Sequence, residues 1–374
     1  MERYKDWSRD GEQCFTSKIC DGPRGDYYHY VMVKDGKIVG FGEEQGNYAG
    51  GIYASTEFNM DCFKNEKERL QKDFPELYEK VKGIPLASVF KPGKAIYRPK
   101  GKAGEYAEWA CNFYTGCSND CQYCYCKRGV MSHVWSTTPR LKKCFKNEAD
   151  AIAKFRKELD YYLGTEGSLH SRGLFFSFTT DPLLDETGGL TVEAAEYALR
   201  RCVPVHILTK RADGALRFVE CLSRMLGGLR PFHKVAIGFT LTGFDELETN
   251  ASSTEARIDA MRKIHALGIK TFASVEPLID LSKGEEVIDS TLGFCDLYKI
   301  GLLSGGKRTI DSVELSEFIP RITEKIANAR AKVYWKDSVR EETGGISIGW
   351  SSTINTDNVA TVPANFDIFS INRR

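Results

Sequence analysis

Cys117, Cys121 and Cys124 lie in the run Gly-Cys-Ser-Asn-Asp-Cys-Gln-Tyr-Cys-Tyr-Cys, a C-x3-C-x2-C pattern with an aromatic residue before the third cysteine. Three thiolates on one tight loop can hold three irons of a cubane [4Fe–4S] cluster and leave the fourth iron without a protein ligand. An open metal position is where a substrate or cofactor binds and reacts, whereas a closed one holds structure or passes electrons. Cys126 adds a fourth nearby thiol, so a zinc or iron–sulfur binding module without catalysis is an alternative. Cys124 and Cys126 stand too close for the usual C-x2-C knuckle of a tetrahedral zinc site, which counts against zinc.

The 374 residues are 42% hydrophobic, enough for a sizeable core in one large domain or two ordinary ones. The start, MERYKDWSRDGEQ, is polar and lacks a signal-peptide apolar region. No apolar run approaches the roughly 18–20 residues of a membrane span. The expectation is a soluble, cytoplasmic protein with no membrane partner. There, 12 cysteines point to metal ligation or catalysis before disulfides. Outside the run the cysteines form no second C-x2-C, so a second cluster is not expected; Cys202, Cys221 and Cys295 read as small core residues, and Cys111 and Cys126 as structural. Net charge is +1, but residues 91–146 carry +8, which brackets the cysteine loop and leaves −7 elsewhere. That stretch is either a solvated basic face or the approach of an anionic substrate such as a nucleotide or nucleic acid.

These residues need elements to position them. Residues 1–85 read as an accessory region: Asp35-Gly36 between β-rich runs predicts a hairpin over 27–41, Gly46–Gly51 a loop, and Leu70, Phe74, Leu77 and Val81 a surface helix over 65–82. Pro85, Pro92 and Pro99 mark an extended connector. Apolar runs then alternate with helical patterns across residues 86–340. Strands are expected at 109–113, 173–178, 204–208, 234–239, 270–275, 297–302 and 332–335, and helices at 148–163, 192–201, 214–225, 253–267, 284–291 and 312–328. Gly268 supplies a C-cap for the helix ending at Leu267. Such alternation implies an α/β fold of parallel β/α units, as a barrel or an open doubly wound sheet. The segment 341–374 reads as a β-element over a barrel mouth or a loosely ordered tail.

The cysteine motif, at the end of an apolar segment and leading a β/α series, resembles the signature of the radical S-adenosylmethionine (SAM) superfamily. The resemblance covers roughly residues 107–336. It implies a partial (β/α)6 barrel with an N-terminal accessory region. It also implies a [4Fe–4S] cluster on Cys117, Cys121 and Cys124 whose unique iron is chelated by the amino and carboxylate groups of SAM. One electron, from a reductant such as flavodoxin or ferredoxin, then cleaves the S–C5′ bond, and the 5′-deoxyadenosyl radical abstracts a hydrogen atom in lyase or oxidoreductase chemistry.

In such a fold the functional groups collect at strand exits. The resemblance places Tyr123 near the adenine of SAM. The second strand exits through Thr179, Thr180, Asp181 and Pro182, which lack the common Gly-Gly-Glu form and resemble the spore photoproduct lyase branch; all three polar residues are candidates for the SAM amino group. Thr209-Lys210 at the third exit is similar to the same branch, with Lys210 toward the SAM carboxylate. Thr240 and Thr242 at the fourth exit alternate to one side and are candidates for ribose or carboxylate. Glu276-Pro277 at the fifth resembles phage-type radical SAM proteins, and Glu276 can bind ribose or substrate. Ser304-Gly305-Gly306-Lys307 at the sixth is weak evidence for anion binding, and Trp335-Lys336 ends the last strand. The resemblance leaves the substrate open between a nucleic acid or nucleotide and a peptide, protein or small metabolite.

Overall fold

A computed structural model describes residues 12–46, 52–58, 60, 63–86, 92–129, 132–228, 230–304, 310–344, 361–364 and 366–371. The chain divides into two units, Met1–Lys91 and Pro92–Arg374.

In the first unit, β1 (Glu12–Cys20), β2 (Tyr27–Lys34), β3 (Lys37–Gly46) and β4 (Ile52–Glu57) form an antiparallel meander in chain order. Asp35 and Gly36 join β2 to β3 with φ of +50° and +68°. Two left-handed residues are what a tight hairpin turn requires, so the predicted hairpin forms. Val31, Val33, Ile38 and Phe41 pack against Phe63, Leu70, Leu77 and Val81 of helices α1 (Phe63–Asp73) and α2 (Pro75–Val81). The single helix expected over 65–82 is two helices. Pro75 drives the residue before it out of the helical region, and Phe74 has φ −137° and ψ 59°. Most of the glycine-rich loop expected at 46–51 lies outside the described residues.

The second unit begins with β5 (Ile96–Tyr97), β6 (Ala110–Cys111) and the short antiparallel pair β7 (Tyr114–Thr115) and β8 (Arg140–Leu141). Then follow α3 (Glu148–Thr165), α4 (Ser168–Arg172), β9 (Leu174–Phe176), α5 (Gly188–Arg200), β10 (Val205–Thr209), α6 (Ala212–Leu226), β11 (Val235–Thr240), α7 (Thr254–Ala266), β12 (Lys270–Leu278), α8 (Leu281–Asp289), β13 (Leu297–Leu302), α9 (Ser312–Asn328), β14 (Lys332–Trp335) and α10 (Asp337–Glu342). One eight-stranded sheet runs β5-β6-β9-β10-β11-β12-β13-β14. Its strands from β6 to β14 are parallel, and β5 is an antiparallel edge. Each strand lies beside its predecessor, so the order never reverses. A doubly wound sheet requires that reversal, and this topology excludes it.

Phe155, Ala198, Phe218, Ile264, Ile288 and Ile322, one from each of α3 and α5 to α9, share a core with one face of the sheet. On the other face Ala110, Phe175, Ala236, Phe272, Leu297 and Tyr334 form a single cluster. Their strands run from one end of the sheet to the other, so the sheet wraps around them. Small residues make this possible: a Cβ on Gly238 would lie 2.2 Å from the Phe272 ring.

Phe366, Ile368 and Phe369 pack into the same cluster, Thr361 pairs with Val333, and Lys270 Nζ donates to the Ile371 carbonyl at 2.6 Å. Lys270 begins β12, so this segment covers the N-terminal ends of the strands. That corrects both expectations for the tail: its described residues neither close the mouth nor lie loose. Cys295 is buried as expected, but Cys202 and Cys221 are exposed. Cys202 sits in the turn after α5 with φ +60°, and Cys221 follows the inward Phe218 and Val219 around α6. Gly268, φ +81°, caps α7 as predicted. Among the described residues no helix is long and apolar enough to cross a membrane.

Candidate active site

The cysteine loop follows β7 at the C-terminal side of the sheet. Gly116 turns the chain with φ +84°, and a Cβ there would meet the Ser136 carbonyl at 2.6 Å, so only glycine fits. The loop is tied down by Cys117 N to Ser136 O (3.0 Å) and Gln122 N to Leu247 O (2.9 Å). Cys117, Cys121 and Cys124 open onto one cavity of about 280 Å³. Tyr123, Thr179, Thr180, Asp181, Lys210, Thr240 and Glu276 line the same cavity. Thr242 does not: it is buried, and its hydroxyl accepts from Phe244 N at 3.3 Å. β11 ends at Thr240, so strand alternation does not extend to Thr242. Trp335 also faces away, its Nε1 donating to Thr323 of α9 at 3.0 Å, while Lys336 lines the cavity. Ser304 reaches the cavity rim; residues 305–307 lie outside the described residues.

Burial pushes the Cys117 thiol up to about 12, with the Asp181 carboxylate adding to it, and raises Cys121 as well. Cys124 is instead pulled down to about 6, chiefly by a hydrogen bond from the Cys126 thiol, which is itself driven up by that bond and by burial. Metal binding needs thiolates, so loading this loop releases protons. Among the described residues no three His, Cys, Asp or Glu side chains converge as ligands of a single ion.

Asp181 is a hub rather than a free ligand. Its Oδ1 accepts from Thr209 Oγ1 (2.7 Å) and Leu183 N (3.0 Å), and its Oδ2 from Asn119 Nδ2 (2.8 Å) and Lys210 N (2.7 Å). Four bonds saturate a carboxylate. They lock the cysteine loop to the exits of β9 and β10. Thr179 uses its proton on the Tyr114 carbonyl at 2.6 Å, which leaves its hydroxyl as an acceptor only. Among the described residues the buried Thr180 hydroxyl and Asn119 Oδ1 have no hydrogen-bond partner. Unpaired buried polar atoms are costly, so these two are the groups here most in need of a bound molecule.

Two carboxylate–cation pairs flank the cavity. Behind Tyr123, Glu248 is buried with the fully buried Arg257. Arg257 Nη1 also donates to the Thr240 carbonyl at 2.6 Å. The Tyr123 hydroxyl donates to Glu248, and Lys210 Nζ lies 3.8 Å from the same carboxylate and 5.5 Å from the Tyr123 ring centre. Burial raises the Glu248 pKa, and Arg257 opposes this. On the other side, Lys336 Nζ contacts Glu276 at 2.8 and 2.9 Å and Glu105 at 3.3 Å. The Tyr106 hydroxyl donates to Glu276 Oε2 at 2.6 Å and stands 2.6 Å from Ser274 Oγ. Beneath, Lys299 Nζ donates to the Tyr106 carbonyl at 3.0 Å; burial, then the Lys336 charge, lowers it to about 7.

Sequence reasoning missed Asn119, Tyr106, Glu105, Glu248 and Arg257. Only Asn119, inside the cysteine motif, carried a local signal. The basic stretch is partly neutralised: Arg98 pairs with Glu108 (3.0 Å) and Glu166 (2.8 Å), and Lys127 with Asp120 (2.5 Å). Lys102 reaches the cavity rim, 3.1 Å from Ser304 Oγ.

No family model matches the chain. An uncharacterised protein of Methanocaldococcus jannaschii is 25% identical over 245 residues, 62% of this chain and 85% of that protein. Among solved structures, the chain is similar to a spore photoproduct lyase mutant with bound AdoMet and dinucleoside spore photoproduct, at 18% identity and a TM-score of 0.47, covering 71% of this chain and 95% of that one. It is also similar to Streptococcus suis SuiB bound to its precursor peptide SuiA, at 10% identity and a TM-score of 0.39, covering 91% and 77%.

Proposed function

We propose that this chain is a radical SAM enzyme. The observation that carries the reading is the shared cavity at the C-terminal side of a wrapped parallel sheet. Into it open the three thiols of the C-x3-C-x2-C loop, the unpartnered Thr180 hydroxyl and the Lys210 side chain. Cys117, Cys121 and Cys124 would hold a [4Fe–4S] cluster, and the strand exits would hold SAM. Bound together there, these groups would supply one-electron reduction of SAM and hydrogen-atom abstraction from a substrate.

The chain's own residues hold and shield. Lys210 offers a cation to a carboxylate, and Asp181, by binding the Lys210 amide, fixes where that cation emerges. Glu248 and Arg257 anchor the Tyr123 ring beside the cysteine loop. Phe178, Leu208 and Pro277 give the cavity apolar walls that keep water from a reactive centre. Electron delivery falls to a low-potential donor such as flavodoxin or ferredoxin. Lys102 at the rim supports an anionic substrate of the nucleotide or nucleic-acid class.

The test is anaerobic reconstitution with iron and sulfide, dithionite reduction and addition of SAM, beside a Cys117/Cys121/Cys124→Ala triple variant. The expected result is a cluster EPR signal perturbed by SAM, and 5′-deoxyadenosine from the wild type alone. A colourless protein that retains zinc and leaves SAM intact would overturn the reading.

A further inference from the structure

Glu276 differs from the saturated Asp181 across the cavity in having acceptor capacity to spare, and from Asp120, paired with Lys127, in being held by covered supports. An ionised carboxylate offers about four lone-pair sites. Lys336 takes one on each oxygen, and Tyr106 takes a second on Oε2. Among the described residues nothing takes the second site on Oε1. The supports are covered, with the Lys336 side chain 2% exposed, while Glu276 lines the cavity at 18%. Room for this arrangement is built in at Gly301, where a Cβ would stand 2.8 Å from Lys336 Cδ and 3.0 Å from Glu276 Oε1. Lys102 and Ser304 line the same cavity at its rim, so one wall carries a fixed acceptor and a cation.

From this wall we infer a substrate subsite: Glu276 Oε1 accepts a hydrogen bond from an N–H or O–H of a single-stranded nucleic acid, while Lys102 meets a neighbouring phosphate. Glu276 is then a positioning group for substrate rather than a SAM ligand. The acceptor selects the donor edge, and the cation supplies affinity without selectivity. The inference rests on the radical SAM reading only for the identity of the cavity as a reaction site.

The experiment measures binding of a mixed-sequence single-stranded DNA octamer and its RNA counterpart to the reconstituted protein by fluorescence anisotropy across a salt series. Glu276→Gln keeps the shape but turns an NH2 either to Lys336 or to the cavity. Expected is a loss of affinity of about tenfold to a hundredfold, the scale of a hydrogen bond to a charged group. Lys102→Ala is expected to weaken all sequences alike and to lower the salt slope by about one. A loss in Glu276→Gln seen with both octamers assigns the donor to a base, and a loss with RNA alone assigns it to a 2′-hydroxyl. Should Glu276→Gln fail to fold, Gly301→Ala presses on the same oxygen and is expected to weaken binding likewise. Unchanged affinity in the folded variant, or no octamer binding by the wild type, would overturn the subsite. Formation of 5′-deoxyadenosine by the wild type without octamer separates that failure from failure of the radical SAM reading.

Discussion

The cavity is bordered by two carboxylate–cation pairs of the same chemistry and opposite use. Glu248 with Arg257 is sealed: both side chains have no exposure, and their further contacts include Tyr123, Lys210, Asp245 and the Thr240 carbonyl. Glu276 with Lys336 has a covered cation and a carboxylate that still faces the cavity. A sealed pair out of reach of the cavity holds neighbours in place, here the tyrosine between two cysteines. A half-open pair holds one oxygen in readiness. What separates the roles is access to the cavity, not residue type.

The sharpest way to break this contrast is Arg257→Ala. It leaves buried Glu248 with only the more distant Lys210, 3.8 Å away, as counter-charge and is expected to cost about 3–5 kcal/mol, read as a fall in the urea midpoint. The double substitution Arg257→Met with Glu248→Met removes both charges and is expected to recover most of that stability while releasing Tyr123. Lys336→Met is the parallel test on the open side. Glu276 keeps Tyr106, so the expected loss is smaller, about 1.5–3 kcal/mol in the same denaturation experiment. Asp181→Asn places an NH2 against two of the four donors, since each oxygen accepts two. A loss of about 1–2 kcal/mol is expected, with faster alkylation of Cys117 in the cluster-free protein as the loop loosens.

A further effect concerns pH. Lys299 is held near 7 against an ordinary 10.5 by burial and by Lys336, with Glu105 and Glu276 opposing. Between those values the unfolded chain binds a proton that the folded chain has lost, so Lys299 makes stability rise with pH across that window. Lys299→Met is therefore expected to flatten the rise. The difference from wild type should be largest below pH 7 and fade toward 10.5, as seen in urea midpoints at pH 6.5 and 9.5.

Local pattern carried the β/α series well. The strands at Leu297–Leu302 and Lys332–Trp335 and the helix at Ser312–Asn328 coincide with their predicted bounds, because apolar runs and periodic faces are written within each element. β1 and β4 went unread, since polar runs such as EQCFTSKIC and IYASTE carry little contrast. The cysteine loop and most strand-exit groups were legible because a parallel β/α order places strand exits on one side. The sealed pair was not. Arg257 sits in α7 and Glu248 in the loop before it, and only the wrapped sheet turns both toward Tyr123. Tyr106 likewise reaches Ser274 and Glu276 from far away in sequence, which no local signal announces.

The unbroken agreement between chain order and strand order has a consequence during synthesis. Each parallel strand from β9 to β14 emerges after the neighbour it joins, so the nascent sheet can grow by addition at one edge, with no gap left for a later insertion. Every intermediate therefore presents an unpaired edge, open to wrong partners until the next strand arrives. The cysteine loop is made near the start of this series, and Phe366–Ile371, which cover the opposite end of the sheet, are made after it. A ribosome-bound chain would thus carry its three thiols long before the fold around them is closed.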